Sequence, residues 1–177
     1  GGFDLVYCLG VLQHTPDVHA AFQALARQVR PGGLLVVDTY YRRPQDYLHP
    51  KRWLRPLTTS MNHQSLFAAV ERSAPMLRRV SSAVGRVPAI GSVLRRLVAV
   101  ANYEGIYPLS EAQLDEWAVL DTFDWLAPRY DQPQTPDTLQ RWFSECGYER
   151  VAVLHAGHLT GRGWRPPRGV ASDATRG

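Results

Sequence analysis

Phe3-Asp4-Leu5-Val6-Tyr7-Cys8-Leu9-Gly10-Val11-Leu12-Gln13-His14-Thr15-Pro16 reads as a buried strand that runs into a turn and then a helix. Asp4 to Leu9 is a near-continuous apolar run, rich in β-formers and closed by Gly10, which suits a strand covered on both faces of a parallel sheet. Thr15 is placed to cap the following helix, with Pro16 at its first position. The chain has only Gly1-Gly2 before this strand and no initiator Met. It therefore reads as the second half of a larger α/β domain.

The pattern continues outward from that stretch. Val18, Phe22, Leu25 and Val29 recur at helical spacing and predict one apolar face, with Arg27 and Arg30 in the last turn, where cations suit the dipole. Pro31-Gly32-Gly33 is read as the helix stop, and Leu34 to Thr39 as a second buried strand. Strand, helix, strand in this order predicts a right-handed parallel crossover.

These residues resemble the middle of a class I S-adenosylmethionine-dependent methyltransferase. The resemblance rests on Phe3-Asp4-Leu5-Val6, on Val11-Leu12-Gln13-His14, and on Val29-Arg30-Pro31-Gly32-Gly33-Leu34-Leu35. It covers residues 1 to 41 closely and resumes more loosely over 135 to 162, and the flavour is that of the small-molecule enzymes of ubiquinone and menaquinone biosynthesis. It implies the carboxyl-terminal half of a Rossmann-like seven-stranded sheet, with parallel strands, a final antiparallel hairpin and a helical insertion. It also implies S-adenosylmethionine as cofactor and a small-molecule or lipid-like acceptor. The glycine-rich loop and the ribose-binding acid of such folds are missing from these 177 residues, so the isolated chain is expected to be inactive.

The site residues follow from the resemblance. Leu9, Gly10, Leu12 and Gln13 lie at the strand's carboxyl end and are assigned to the cofactor. His14 is assigned as a base for an oxygen or nitrogen acceptor, with a structural imidazole at the helix entry as the other reading. Asp38 and Tyr41, at the end of the second strand, and Tyr130 and Asp131, in a Tyr-Asp-Gln-Pro segment, are assigned to the acceptor. His63, His155 and His158 have no metal-like spacing, and no metal is assigned.

The chain divides by composition. Residues 1–163 form the partial methyltransferase domain, interrupted at 44–108 by an insertion with nine Lys/Arg against three acids. Ser65 to Val84 predicts one helix weakened by Pro75, and Ile90, Val93, Leu94, Leu97, Val98 and Ala101 an apolar stripe on another. That stripe packs over an acceptor pocket, lies on an anionic membrane surface, or sets its arginines against an anionic acceptor. Ser110 and Gln113 form a capping box that starts a further helix. Leu120 to Pro133, aromatic and acidic, reads as a loop that lines a pocket. Thr135 caps the last helix, Gly147 closes it, and Arg150 to His155 pairs with Gly157 to Gly161. Residues 164–177 read as a disordered tail.

A net charge of +4 is no nucleic-acid signature, and nothing resembles a signal peptide or a membrane span. Cys8 and Cys146 read as reduced core thiols, and a cytoplasmic location is expected. Two other functions stay open: a non-catalytic interaction module and a nicotinamide-dependent Rossmann oxidoreductase.

Overall fold

β2 (Val29–Thr39) is an eleven-residue strand paired on both edges. The computed structural model describes residues 2–43 and 49–167. On one side β2 runs parallel to β1 (Phe3–Cys8); on the other it runs antiparallel to β4 (His158–Trp164), which pairs antiparallel with β3 (Glu149–Ala156). The sheet is thus mixed and four-stranded, in the order β1-β2-β4-β3. Gly157, with φ of +82°, makes the β3–β4 turn. Two helices complete this unit, α1 (Val18–Gln28) and α6 (Pro136–Glu145), the latter capped by Thr135 and closed by Gly147 as expected.

One face of the sheet carries the core. Val29, Leu35, Val37 and Thr39 alternate inward along β2, against Phe22 and Ala26 of α1 and Leu139, Trp142 and Phe143 of α6. Cys8 and Cys146 are free and half-buried at its margin, and burial pushes both thiols up. The opposite face differs from the expectation of a strand covered on both sides. Leu5 is 51% and Tyr7 67% exposed, and β1 is a sheet edge among the described residues.

Three local expectations are corrected. Asp17, not Thr15, caps α1 by accepting the Ala20 amide, while the Thr15 hydroxyl donates back to the Leu12 carbonyl at 2.7 Å. Pro31-Gly32-Gly33 lies inside β2 rather than ending the helix, and Arg30 is a strand residue paired with Asp4. The segment forms a bulge, because Phe3 opposes Val29 whereas Leu5 opposes Leu34. Arg165 holds the bulge: its backbone exchanges hydrogen bonds with Gly32 and Gly33, and its Nη1 donates to the Val29 carbonyl at 2.6 Å. The stretch assigned to a tail is therefore ordered as far as Arg165, and residues 168–177 lie outside the described residues.

Arg43–Arg129 form a second compact unit, extending past the insertion limit of 108. It contains α2 (Pro50–Thr58), α3 (His63–Gly85), α4 (Gly91–Leu97) and α5 (Glu111–Leu126). α3 continues through Pro75. α4 stops at Leu97; Gly91 within it and Val100 and Ala101 beyond it are buried, whereas Ile90, Val93 and Leu97 face solvent. The Ser110–Gln113 capping box is formed. α5 then absorbs the first half of the expected aromatic loop, as far as Leu126, because Leu114, Ala118, Thr122 and Leu126 bury one stripe at four-residue spacing.

Arg78 ties this unit together. It is 1% exposed and donates to Asp115 and Glu111 of α5, each at 2.6 Å, with Glu104 at 3.8 Å. A buried guanidinium must be paired in this way. Desolvation works against its charge, yet the Asp115 and Glu111 carboxylates outweigh it and raise the pKa. Glu104 also accepts from the Ser82 hydroxyl and from Arg86.

The packing around Gly161 and the charge cluster at Glu104 are both open to test. A Cβ on Gly161 would stand 2.7 Å from the Phe143 ring, so Gly161→Ala should cost about 1–3 kcal/mol by urea denaturation. The Ser82 hydroxyl, with Arg86 and Arg78 against an opposing desolvation, holds the Glu104 carboxyl below its ordinary 4.5. Its contribution is present above that value and disappears as pH falls through the lowered one. The thermal midpoint of the wild type should therefore drop on acidification below 4.5 more than that of Glu104→Gln, as followed by circular dichroism.

Candidate active site

The carboxyl ends of β1 and β2 carry the assigned residues. β1 ends at Cys8, and Gly10 turns the chain with φ of +70°, a value natural to glycine. The Gly10 amide donates to the Asp38 carboxylate, so the end of β2 holds the turn that follows β1. Leu9 and Gly10 are exposed on this turn. A 3-10 turn over Leu12–His14 follows. Leu12 points into the core at 1% exposure.

Gln13 is wholly buried, and both its carboxamide oxygen and nitrogen lack a hydrogen-bond partner. Such a group costs on the order of 1–3 kcal/mol and marks a place where a polar partner fits. Beside it, His14 is half-buried, with Nδ1 3.0 Å from the Tyr130 carbonyl oxygen. A carbonyl only accepts, so Nδ1 carries a proton and donates it, and Nε2 is the ring nitrogen left for another partner. The ring also meets Tyr40 edge to face at 5.6 Å.

The 130–134 segment is laced across these ends. The Gln132 amide donates to the Gln13 carbonyl, and its Nε2 to the carbonyls of Thr15 and Pro16. The Gln134 amide donates to the Tyr40 carbonyl, the Arg42 amide to that of Gln134, and Arg42 Nε to that of Pro133. The structure thereby brings His14, Gln13, Asp38, Tyr41, Tyr130 and Asp131 to one end of the sheet. Tyr41 forms the β-bridge with Gln134 and packs on His155 at 4.4 Å.

His158, which carries no role on sequence grounds, lies here as well. Its Nδ1 is 3.5 Å from Asp38 Oδ2, and its ring meets Tyr40 at 5.6 Å. Only the pairing of the terminal hairpin with the second strand could have led to it. Gln132 and Gln134 are equally hidden in the sequence, since a glutamine in a loop carries no spacing signature.

Residues 1–153 match the family described as a methyltransferase domain. Over 46 residues the chain is 48% identical to the ubiquinone biosynthesis O-methyltransferase of Alkalilimnicola ehrlichii, covering 26% of this chain and 19% of that protein. Over 48 residues it is 44% identical to the enzyme of the same name from Pseudomonas paraeruginosa, covering 27% and 21%. The chain thus spans about a fifth of the length of the curated relatives it matches. An O-methyltransferase family protein from Burkholderia thailandensis superposes with a TM-score of 0.44 at 10% identity, over 96% of this chain and 32% of that one.

Asp38 links the two strand ends through the Gly10 amide. Asp38→Ala should release that amide, moving its proton resonance toward the open-chain position and speeding its hydrogen exchange. Stability should fall by about 1 kcal/mol in urea.

Proposed function

The chain belongs to the methyltransferase domain family, and from that premise we propose that it is the carboxyl-terminal part of a class I S-adenosylmethionine-dependent methyltransferase acting on a small or lipid-like acceptor. The observation that carries the reading is the buried Gln13 carboxamide, unpaired at both ends and next to His14 where β1 ends. In open α/β sheets, ligands gather outside the carboxyl ends of the strands.

The residues present fit one wall of the cofactor site. The Gln13 carboxamide offers a donor and an acceptor to a zwitterionic amino-acid end, and the Gly10 turn leaves backbone without a side chain beside it. Leu9, Gly10 and Gln13 are the residues that would hold it, with Leu12 supporting them from the core. When bound, the sulfonium supplies a methyl group that is already activated. The part of His14 is then defined by its two ring nitrogens. Nε2 takes the proton that an acceptor hydroxyl loses, while the Tyr130 carbonyl fixes Nδ1–H and the ring's orientation. Tyr41, Tyr130 and Asp131 face the acceptor, and Asp38 holds the turn. The relatives are named as O-methyltransferases of ubiquinone biosynthesis, and an aromatic hydroxyl acceptor fits a site walled by Tyr40, Tyr41 and His155.

The bare side of the sheet supports the same reading. Leu5 and Tyr7 leave an apolar face open, and β1 presents an unpaired edge among the described residues. Such an edge is a template for further strands. The preceding strands of the same domain are the proposed occupants, and they would bring the glycine-rich loop.

Calorimetry with S-adenosylmethionine tests this, on the present chain and on the protein extended toward its amino terminus. Binding by the extended protein alone is the expected result; binding by neither, with both folded, overturns the reading. In the extended protein, His14→Gln should lower turnover by roughly 10²–10⁴-fold while leaving cofactor affinity in place. Undiminished turnover would remove His14 from the chemistry.

A further inference from the structure

The helical unit carries an open pocket of about 480 Å³, within the size range of small-molecule sites. Its apolar wall comes from Val100 and Trp125, and its polar side from Ser81, Ser92, Arg95 and Arg96, with His49 also lining it. No carboxylate lines it among the described residues.

Two details set this pocket apart from a packing gap. Ser81 is 1% exposed, and its hydroxyl has no hydrogen-bond partner. Other serines of α3 show the usual solutions. Ser73 donates to the Ala69 carbonyl one turn back at 2.8 Å, and Ser82 bonds Glu104. Ser81 does neither and lines the pocket.

The arginines are also unlike their neighbours. Arg78, Arg79 and Arg86 each meet a carboxylate. Arg95 instead donates through Nη2 to the backbone carbonyls of Asn102 and Glu104, at 2.9 and 3.4 Å. Those carbonyls orient the guanidinium but leave its charge unneutralised. Arg96 has no carboxylate partner among the described residues, and it lines the same pocket. Two guanidinium groups from neighbouring residues, neither paired with a carboxylate among the described residues, and a buried hydroxyl share this pocket with an indole ring and form the recognition set for an anion carried on an apolar body.

We propose that the helical unit holds a binding site of its own for an anionic organic molecule, a phosphate monoester or a carboxylate attached to an aromatic or similarly apolar group. The inference does not depend on methyl transfer: its readout is binding, and it stands or falls with residues 49–125 alone.

The full 177-residue chain is titrated with phenyl phosphate by calorimetry and by amide NMR, the Trp125 indole signal being identified through Trp125→Phe. Phenyl phosphate should bind saturably and shift that signal, with inorganic phosphate and benzyl alcohol each about tenfold weaker or worse, because each lacks half of the recognised molecule. Phenylacetate binding more tightly than phenyl phosphate assigns a carboxylate, and the reverse assigns a phosphate. Arg96→Gln, an exposed position, should weaken binding of the better anion about tenfold, and Ser81→Val should weaken it further. No saturable shift at Trp125 with either anion overturns the proposal. So does an unaltered affinity in a folded Arg96→Gln variant.

Discussion

Both edges of β2 are hydrogen-bonded, and the first unit hangs on that pairing. Parallel pairing to β1 fixes Leu5 opposite Leu34 and Cys8 opposite Val37; antiparallel pairing to β4 fixes Asp38 opposite Thr160. With register set on each side, alternation sends Leu35, Val37 and Thr39 under the helices and leaves Asp38 on the other face. Asp38 then meets the Gly10 turn from one neighbour and His158 from the other. A slip of one residue would exchange these faces and disperse the site together with the core.

The helical unit is organised by charge as much as by apolar contact. Arg78 is buried whole between two helices, and two of the carboxylates around it are shared, Asp115 with Arg79 and Glu104 with Arg86. Breaking one side of such a group leaves an uncompensated charge, so the arrangement specifies how α3 meets α5 more than it adds stability. Tyr103 extends it: burial first, and then its bond to Asp121, hold the phenol proton on at any physiological pH. The apolar cluster of Leu66, Val70, Ala74 and Ala118 packs within this frame.

Much of this is legible in the residues. β1, α1, the terminal hairpin and the caps at Ser110 and Thr135 are readable because each has a local cause, an apolar run or a side chain that satisfies a free amide. What stays hidden depends on distant partners. Pro31-Gly32-Gly33 reads as a stop until Arg165 supplies the hydrogen bonds that make it a bulge. Leu120 to Leu126 reads as a loop until the stripe from Leu114 to Leu126 finds a surface to cover. Exposure of β1 is hidden for the same reason, since an apolar run does not say what covers it. In the candidate site, His14 and Gln13 come from the resemblance, whereas His158 and the glutamines of the 130–134 segment are placed by pairing across more than a hundred residues.

The hydrogen bonds between residues 40–42 and 133–134 close the neck from which the helical unit emerges. Once that neck is closed, the sheet no longer registers how much chain lies between its two ends. Loop-closure entropy grows only logarithmically, by about 0.6 kcal/mol for each doubling of length. Segments of very different size can therefore be exchanged at this point for little cost in the stability of the sheet. The fold has in effect a socket, in which the inserted segment is free to diverge while the strand ends that carry His14 and Asp38 stay as they are.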